Sequence, residues 1–260
     1  MGKIGKEFEE LVKIISRLRQ PDGCPWDHDQ TSQSLIPFLI EETYELIESI
    51  DEKNWETVKE ELGDVLLHIV FQASIADDNK QFKLEEVLKT VNEKLVKRHP
   101  HVFNIDQVVI NNDINKEWEL SKHKEKGRES RLDGVPKDLP SIIKAQRLQQ
   151  KASLAGFDWD KIELVWEKIH EEILELKEAE QQKNKDHIEE EIGDVLFSIV
   201  NLSRFLEISA DNALRRTNRK FINRFKKVEK GIEGKGKVME EATLEEMDII
   251  WNQSKEKNNI

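Results

Sequence analysis

Apolar residues return every three to four positions along most of this chain, between runs of Glu and Lys, while strand-like Val-Thr-Tyr alternation is scarce. Such spacing gives each segment one greasy stripe and predicts an almost wholly helical protein. It places helices near 5–19, 34–50, 55–76 and 84–98 in the first half, and near 160–181, 187–206 and 210–230 in the second. Start signals agree: Pro37 suits a first turn, Asn54 suits a cap, and Asp186 followed by Glu189 has the form of a capping box. All six prolines fall between Pro21 and Pro140. The stretch from Asn104, broken late by Gly127, Gly134, Pro136 and Pro140, reads as the connection between two helical domains. Asp113–Lys126 within it is expected to be a helix of the first domain. The boundaries are then 1–126, a connector over 127–155, and 156–260. Gly231, Gly234 and Gly236 mark a joint before a last helix holding Trp251.

The stripes contain residues that do not belong there. On a helical projection Leu35 and Leu46 lie within about 40° of Glu42, and Glu45 projects from the same side. Glu61 and Asp64 share a side with Val58 and Val65. The whole arrangement recurs 130 residues later, with Glu172 and Glu175 beside Val165, Ile169 and Leu176, and Glu191 and Asp194 beside Ile188 and Val195. Even the flanks repeat: Glu61-Leu-Gly-Asp-Val-Leu66 is echoed by Glu191-Ile-Gly-Asp-Val-Leu196. If these were solvated faces, each Glu would pair with a nearby Lys. Recurrence in register with the apolar neighbours argues against that.

Two such helices joined by a short turn pack antiparallel and bring four carboxylates together. Like charges about 4 Å apart repel by roughly 4 kcal/mol per pair at an effective dielectric near 20. A marginally stable domain tolerates this only if something neutralises them. An all-oxygen, sulfur-free ligand set suits Mg²⁺, with Mn²⁺ as a substitute, and Mg²⁺ commonly bridges to substrate phosphates.

Composition narrows the partners. Charged residues make up 36% and the net charge is −12, which argues against a nucleic-acid partner, since sequence-independent binding needs a basic surface. Cys24 is the only cysteine, so no intrachain disulfide forms and a reducing cytoplasm is expected. No run of 18 or more apolar residues occurs and the charged N-terminus is unlike a signal peptide, so no membrane partner is expected.

The repeat extends beyond the acids. Lys94 and Arg98 match Lys220 and Arg224, four apart on one helix face, where they can grip a polyphosphate. Trp118 and Lys122 match Trp251 and Lys255, an aromatic face beside a cation suited to a nucleotide. A Gly-x-x-Trp-Asp pattern at Gly23 and again at Gly156 is expected to anchor each domain's entrance helix. Gly63 and Gly193, mid-helix among the acids, imply a close helix approach, room for substrate, or simple inheritance by duplication. His68 has Ser198 as its counterpart and is expected to pack behind the acids. No Walker A loop or dinucleotide fingerprint is present, so side chains must hold any phosphate.

In these residues the chain resembles the MazG family of nucleoside triphosphate pyrophosphohydrolases, whose metal signature is Glu-Glu-x-x-Glu followed by Glu-x-x-Asp and whose long form carries it twice. The resemblance implies an all-α fold of two tandem helical-bundle domains, assembly as a homodimer, and Mg²⁺-dependent cleavage of a nucleoside triphosphate between the α and β phosphates. It implies Glu172, Glu175, Glu191 and Asp194 as metal ligands in the second copy and Glu42, Glu45, Glu61 and Asp64 in the first. Glu171, Glu172 and Glu190 would then be catalytic, with Glu171 and Glu190 orienting or deprotonating the attacking water. Lys220, Arg224, Trp251 and Lys255 would contact the nucleotide, as would Lys94, Arg98, Trp118 and Lys122 in the first copy. Removal of aberrant or surplus nucleotides is the family's implied role. Both acidic signatures are complete, and the second copy is the expected catalyst, since duplicated enzymes often keep one active domain. A carboxylate-bridged di-iron oxidase would need Glu-x-x-His pairs that these helices lack. A non-catalytic regulator that binds metal and nucleotide is the alternative.

Overall fold

The computed structural model describes residues 2–103, 119, 127 and 129–256, with His101 and Glu256 by backbone alone. The described residues form helices and one 3₁₀ turn, with no strand among them. The chain divides into two units, Met1–Ile110 and Asn111–Ile260.

The first unit runs α1 (Lys3–Leu18), α2 (Pro25–Asp29), α3 (Ile36–Glu52), α4 (Trp55–Asp78), α5 (Leu84–Arg98) and α6 (Pro100–Phe103). Helices α3 and α4 form a hairpin, and α1 and α5 pack on α4. Ile15, Leu35, Val70, Phe71 and Ile75 make the core, with Phe8, Leu11, Val12, Leu67 and Leu84 against it. These are the apolar stripes of α1 and α4 meeting, which is what their periodicity demands.

The second unit runs α7 (Ser141–Leu154), α8 (Ile162–Gln182), α9 (Lys185–Phe205), α10 (Ala210–Glu233), a 3₁₀ turn (Met239–Glu241) and α11 (Leu244–Glu256). Here α8 and α9 are the hairpin, α7 packs on α9 and α10, and α11 packs on α10. Val165, Ile169 and Leu202 form the core, backed by Ile162 and Phe205. Helix α7 lies within the stretch read as a connector. Pro140 occupies its N-cap position. A proline without a free N–H loses nothing there, so the apparent breaker starts a helix. Lys151 of α7 is buried and ion-paired with Glu119 at 2.7 Å. Apart from Glu119, the expected helix Asp113–Lys126 lies outside the described residues.

Both hairpins turn the same way. Lys53 and Lys183 end α3 and α8 in the left-handed region at φ 58° and 57°. Asn54 then caps α4 by accepting from the Thr57 N–H, and Asn184 caps α9 by accepting from Asp186 and His187. The second cap is therefore Asn184 and not the expected Asp186. With Lys183 reversing the chain, Asn184 is the last residue outside the helix, and Asp186 already lies within its first turn.

Each entrance loop is tied to the far end of its hairpin by an Arg–Asp pair of opposite polarity. In the first unit Arg19 donates to Asp78 at 2.7 Å. In the second, Asp158 accepts two bonds from Arg204, at 2.5 and 2.9 Å. Gly23 belongs to the first of these loops, and a methyl group there would collide with the carbonyl oxygens of Leu18 and Arg17. Backbone cannot yield as a side chain does. Gly23→Ala is expected to destabilise the first unit by about 1–3 kcal/mol, read as a lower midpoint of urea unfolding.

Candidate functional site

The hairpin geometry brings the acids together. Glu45 lies eight residues before Lys53 and Glu61 eight after it; Glu175 and Glu191 flank Lys183 in the same way. At 1.5 Å per residue each pair stands about 12 Å above its turn, level across the two helices. Glu42 and Glu172 sit one position in the i,i+3 ladder further back, on the same face. As a result Glu42, Glu45 and Glu61 bring carboxylate oxygens within 4.8 Å of one another, and so do Glu172, Glu175 and Glu191. Glu61, Glu172 and Glu191 are 9, 6 and 8% exposed, far less than ordinary glutamates. Asp64 and Asp194 stand one turn along from the triads. Asp64 raises the pKa of both Glu42 and Glu61 by its charge, whereas Asp194 borders a cavity beside Glu172.

The two clusters differ in how their charge is met. In the first, burial and then the neighbouring acids push Glu42 and Glu61 above the usual carboxylate range. In the second, Lys168 Nζ reaches both Glu171 and Glu172 at 2.8 Å. Hydrogen bonds to Glu171 and then Glu172 keep it protonated well above the usual lysine range. His187 Nε2 lies 3.0 Å from Glu191 Oε1, while the buried Glu191 Oε2 has no partner. Glu175 is still pushed up, by burial first and by Glu172 next. At the matching positions the first copy has Phe38 and Thr57. Sequence reasoning missed Lys168 and His187, although each sits four residues before its acid, the spacing of a helical ion pair. Their absence from the first copy kept them out of a search for repeats.

The remaining expected residues fall in three groups. Glu171 and Glu190 are exposed beside the second cluster. On α10 Lys220 is exposed and Arg224 half-buried, the Arg224 guanidinium lying 5.8 Å from the centre of the Trp251 ring. Trp251 also packs on Phe221 at 5.2 Å, and Lys255 Nζ donates to Asn252. On α5 Lys94 is exposed and Arg98 half-buried, whereas Trp118 and Lys122 lie outside the described residues. His68 is buried, its pKa lowered by that burial, and it lines a cavity of about 250 Å³ with Leu39, Gln72 and Phe82. A close helix approach does not explain Gly63 or Gly193. Nothing lies within 4 Å of where either side chain would begin.

Each hairpin thus carries a carboxylate triad that is buried in part, with Glu45 and Glu175 exposed. The model of the MazG nucleotide pyrophosphohydrolase domain matches at residues 30–103 and again at 161–229, one match over each hairpin. The chain is 51% identical over 257 residues to the nucleoside triphosphate pyrophosphohydrolase/pyrophosphatase MazG of Thermotoga maritima, covering 98% of each. It is 37% identical over 255 residues to a nucleoside triphosphate pyrophosphohydrolase of Escherichia coli, covering 96% of this chain and 97% of that one. A protein of Bacillus subtilis is 44% identical over 253 residues, which is 96% of this chain but 52% of its own length. With the signature, the fold and the matches in agreement along nearly its whole length, the chain belongs to the MazG nucleotide pyrophosphohydrolase family.

Proposed function

We propose that this protein hydrolyses nucleoside triphosphates between the α and β phosphates, giving a nucleoside monophosphate and pyrophosphate, and that the second unit does the chemistry. The observation that carries this is the pairing of an acid triad, two of its three members buried, with a resident cation and an adjoining cavity in that unit. The donor set fits a hard divalent ion: every oxygen comes from a carboxylate, and Glu191 Oε2 is buried with nothing to bind. Glu172, Glu175, Glu191 and Asp194 would hold Mg²⁺ in the second copy, and Glu42, Glu45, Glu61 and Asp64 would hold it in the first. Bound there, Mg²⁺ supplies Lewis-acid polarisation of phosphate oxygens and lowers the pKa of a water.

The chain's own residues do the positioning. Lys168, held between Glu171 and Glu172, is close enough to the triad to meet a phosphate oxygen. Lys220 as a point charge and Arg224 as a fork are suited to hold the leaving pyrophosphate. Arg224 is already oriented by the Trp251 ring. Glu171 and Glu190, exposed beside the cluster, are the groups able to orient water and accept its proton. Phe38 and Thr57 in place of Lys168 and His187 favour a different part for the first copy, that of a metal- or nucleotide-binding support without turnover.

A homodimer is supported by exposed apolar positions that recur in register on both hairpins. Leu62 and Ile192 are 53 and 46% exposed, and Leu66 with Leu196 and Ile69 with Ile199 repeat the pattern. Such faces need a partner to bury them. No helix among the described residues is long and apolar enough to cross a membrane. The lone Cys24, which can form no intrachain disulfide, supports a reducing cytoplasm.

Mixed nucleoside triphosphates incubated with Mg²⁺ should yield monophosphate and pyrophosphate in equal amounts. Orthophosphate as the product points to a different hydrolase. Tight nucleotide binding without product identifies the chain as a regulator.

A further inference from the structure

The two acid clusters match in their carboxylates and differ in what already touches them. In the second unit two of the three triad acids are engaged by donors of the chain. Lys168 Nζ lies 2.8 Å from Glu172 Oε1, and His187 Nε2 lies 3.0 Å from Glu191 Oε1. A carboxylate only accepts, so each contact uses lone pairs that a divalent ion would otherwise take. The Lys168 contact carries a full positive charge. Glu171 holds the same ammonium at 2.8 Å, which anchors it beside the triad.

The first unit lacks both donors. Phe38 stands at the position of Lys168 and Thr57 at that of His187. Trp26 meets Phe38 edge-on with ring centres 5.9 Å apart, so that position is committed to packing. The charges acting on Glu42 are those of Asp64, Glu45 and Glu41. Those acting on Glu61 are again all acids, Glu45, Glu42, Asp64 and Glu60.

Elementary electrostatics separates the two sites. A divalent ion entering the first cluster meets only negative charge. In the second it must share Glu172 with an ammonium or push that ammonium aside, and it loses affinity either way. A triphosphate removes the obstacle. Its oxygens accept from Lys168 as a carboxylate does, and they bring negative charge and further ligands of their own.

We propose that the first unit holds a divalent ion in the absence of nucleotide, whereas in the second unit Lys168 opposes the ion until a triphosphate draws it off Glu172. The first cluster is thus a standing metal site, and the second is filled together with substrate. Lys168 acts here as a positioning residue, working on the metal through Glu172. This rests on both acid clusters being metal sites, and the test tells the two failures apart.

Mn²⁺ binding to the full chain is measured by equilibrium dialysis near pH 8, first without nucleotide. The wild type should show a tight class of ion that is lost in Glu61→Gln and kept in Glu191→Gln. Lys168→Met should tighten the second site by about 10-fold or more, the least expected when a unit charge about 5 Å from a divalent ion is removed. Adding Glu191→Gln to that variant should abolish the gain. The reciprocal change, Phe38→Lys, should weaken the first site by a similar factor, and it carries the test if Lys168→Met does not fold. With α,β-methylene ATP, whose α–β link resists hydrolysis, the wild type should retain more Mn²⁺ than Glu191→Gln does. Without nucleotide that difference should vanish. Equal affinity at the two wild-type sites overturns the proposal, as does a tight class lost with Glu191→Gln instead of Glu61→Gln. So does a Lys168→Met protein that binds Mn²⁺ as the wild type does. If the wild type binds no Mn²⁺ with or without the analogue, the acid clusters are not metal sites, and the proposal falls with them.

Discussion

Replacing Glu191 by Gln is expected to lower nucleotide turnover by at least about 10²–10³-fold while leaving the fold intact, a loss of the order seen when a key electrostatic group is removed from an active site. The side chain is isosteric and 8% exposed, so shape and packing survive while the charge disappears. Removing the charge relieves its repulsion of Glu175, which offsets the weakened contact with His187. The thermal midpoint without metal should therefore stay the same or rise. Glu172→Ala and Asp194→Ala should likewise abolish turnover in a protein that remains folded. The matching change in the first copy, Glu61→Gln, is expected to leave turnover within a few-fold of wild type. Steady-state rates and thermal melts of these variants decide the matter. A wild-type rate from the second-copy variants defeats the assignment, and a dead Glu61→Gln moves catalysis to the first copy.

Millimolar Mg²⁺ should raise the melting temperature by on the order of 10 °C near pH 8 and by much less near pH 5, the size expected for an ion well above its dissociation constant. Glu42, Glu61 and Glu175 all have pKa values raised above 4.5, by burial first and then by neighbouring acids. A carboxyl whose pKa is higher folded than unfolded contributes stability only while it holds its proton. That contribution is complete below about pH 4.5 and is lost as pH climbs through the raised folded values. The metal-free protein should accordingly weaken from mildly acidic toward neutral pH, and Mg²⁺ should restore most where the acids are most ionised. Glu246 has the opposite sign, since Lys237 holds its carboxyl below the usual range and its contribution is lost only on acidification. It stands apart from the triads on α11, so its effect should not respond to Mg²⁺. Scanning calorimetry at two pH values, with and without Mg²⁺, reads both. Equal metal stabilisation at the two pH values contradicts the account.

Helix type, the two hairpins and the pairing of acids across each were legible because they depend on spacing along one dimension. Glu175 and Glu191 stand equally far from Lys183 in the sequence, and an antiparallel pair with a fixed rise must place them level. The start of α7 was not legible. Pro140 signals either a break or a first turn, and only packing of that helix on α9 and α10 chooses. The cap at Asn184 was likewise decided by Lys183 taking a left-handed conformation, a backbone choice that a lysine side chain does not announce.

By itself, then, the amino-acid order determined an all-helical protein with two copies of a carboxylate cluster. Periodicity and repeat register are properties of the chain before it folds. Tertiary structure alone decided that Phe38 rests on Trp26 in the first copy, and that Leu132, Gln149, Phe157 and Phe197 converge on one cavity in the second. The four cavity residues come from a turn, a loop and two helices. Only burial of apolar surface in three dimensions brings such distant positions together, and no one-dimensional spacing encodes the result.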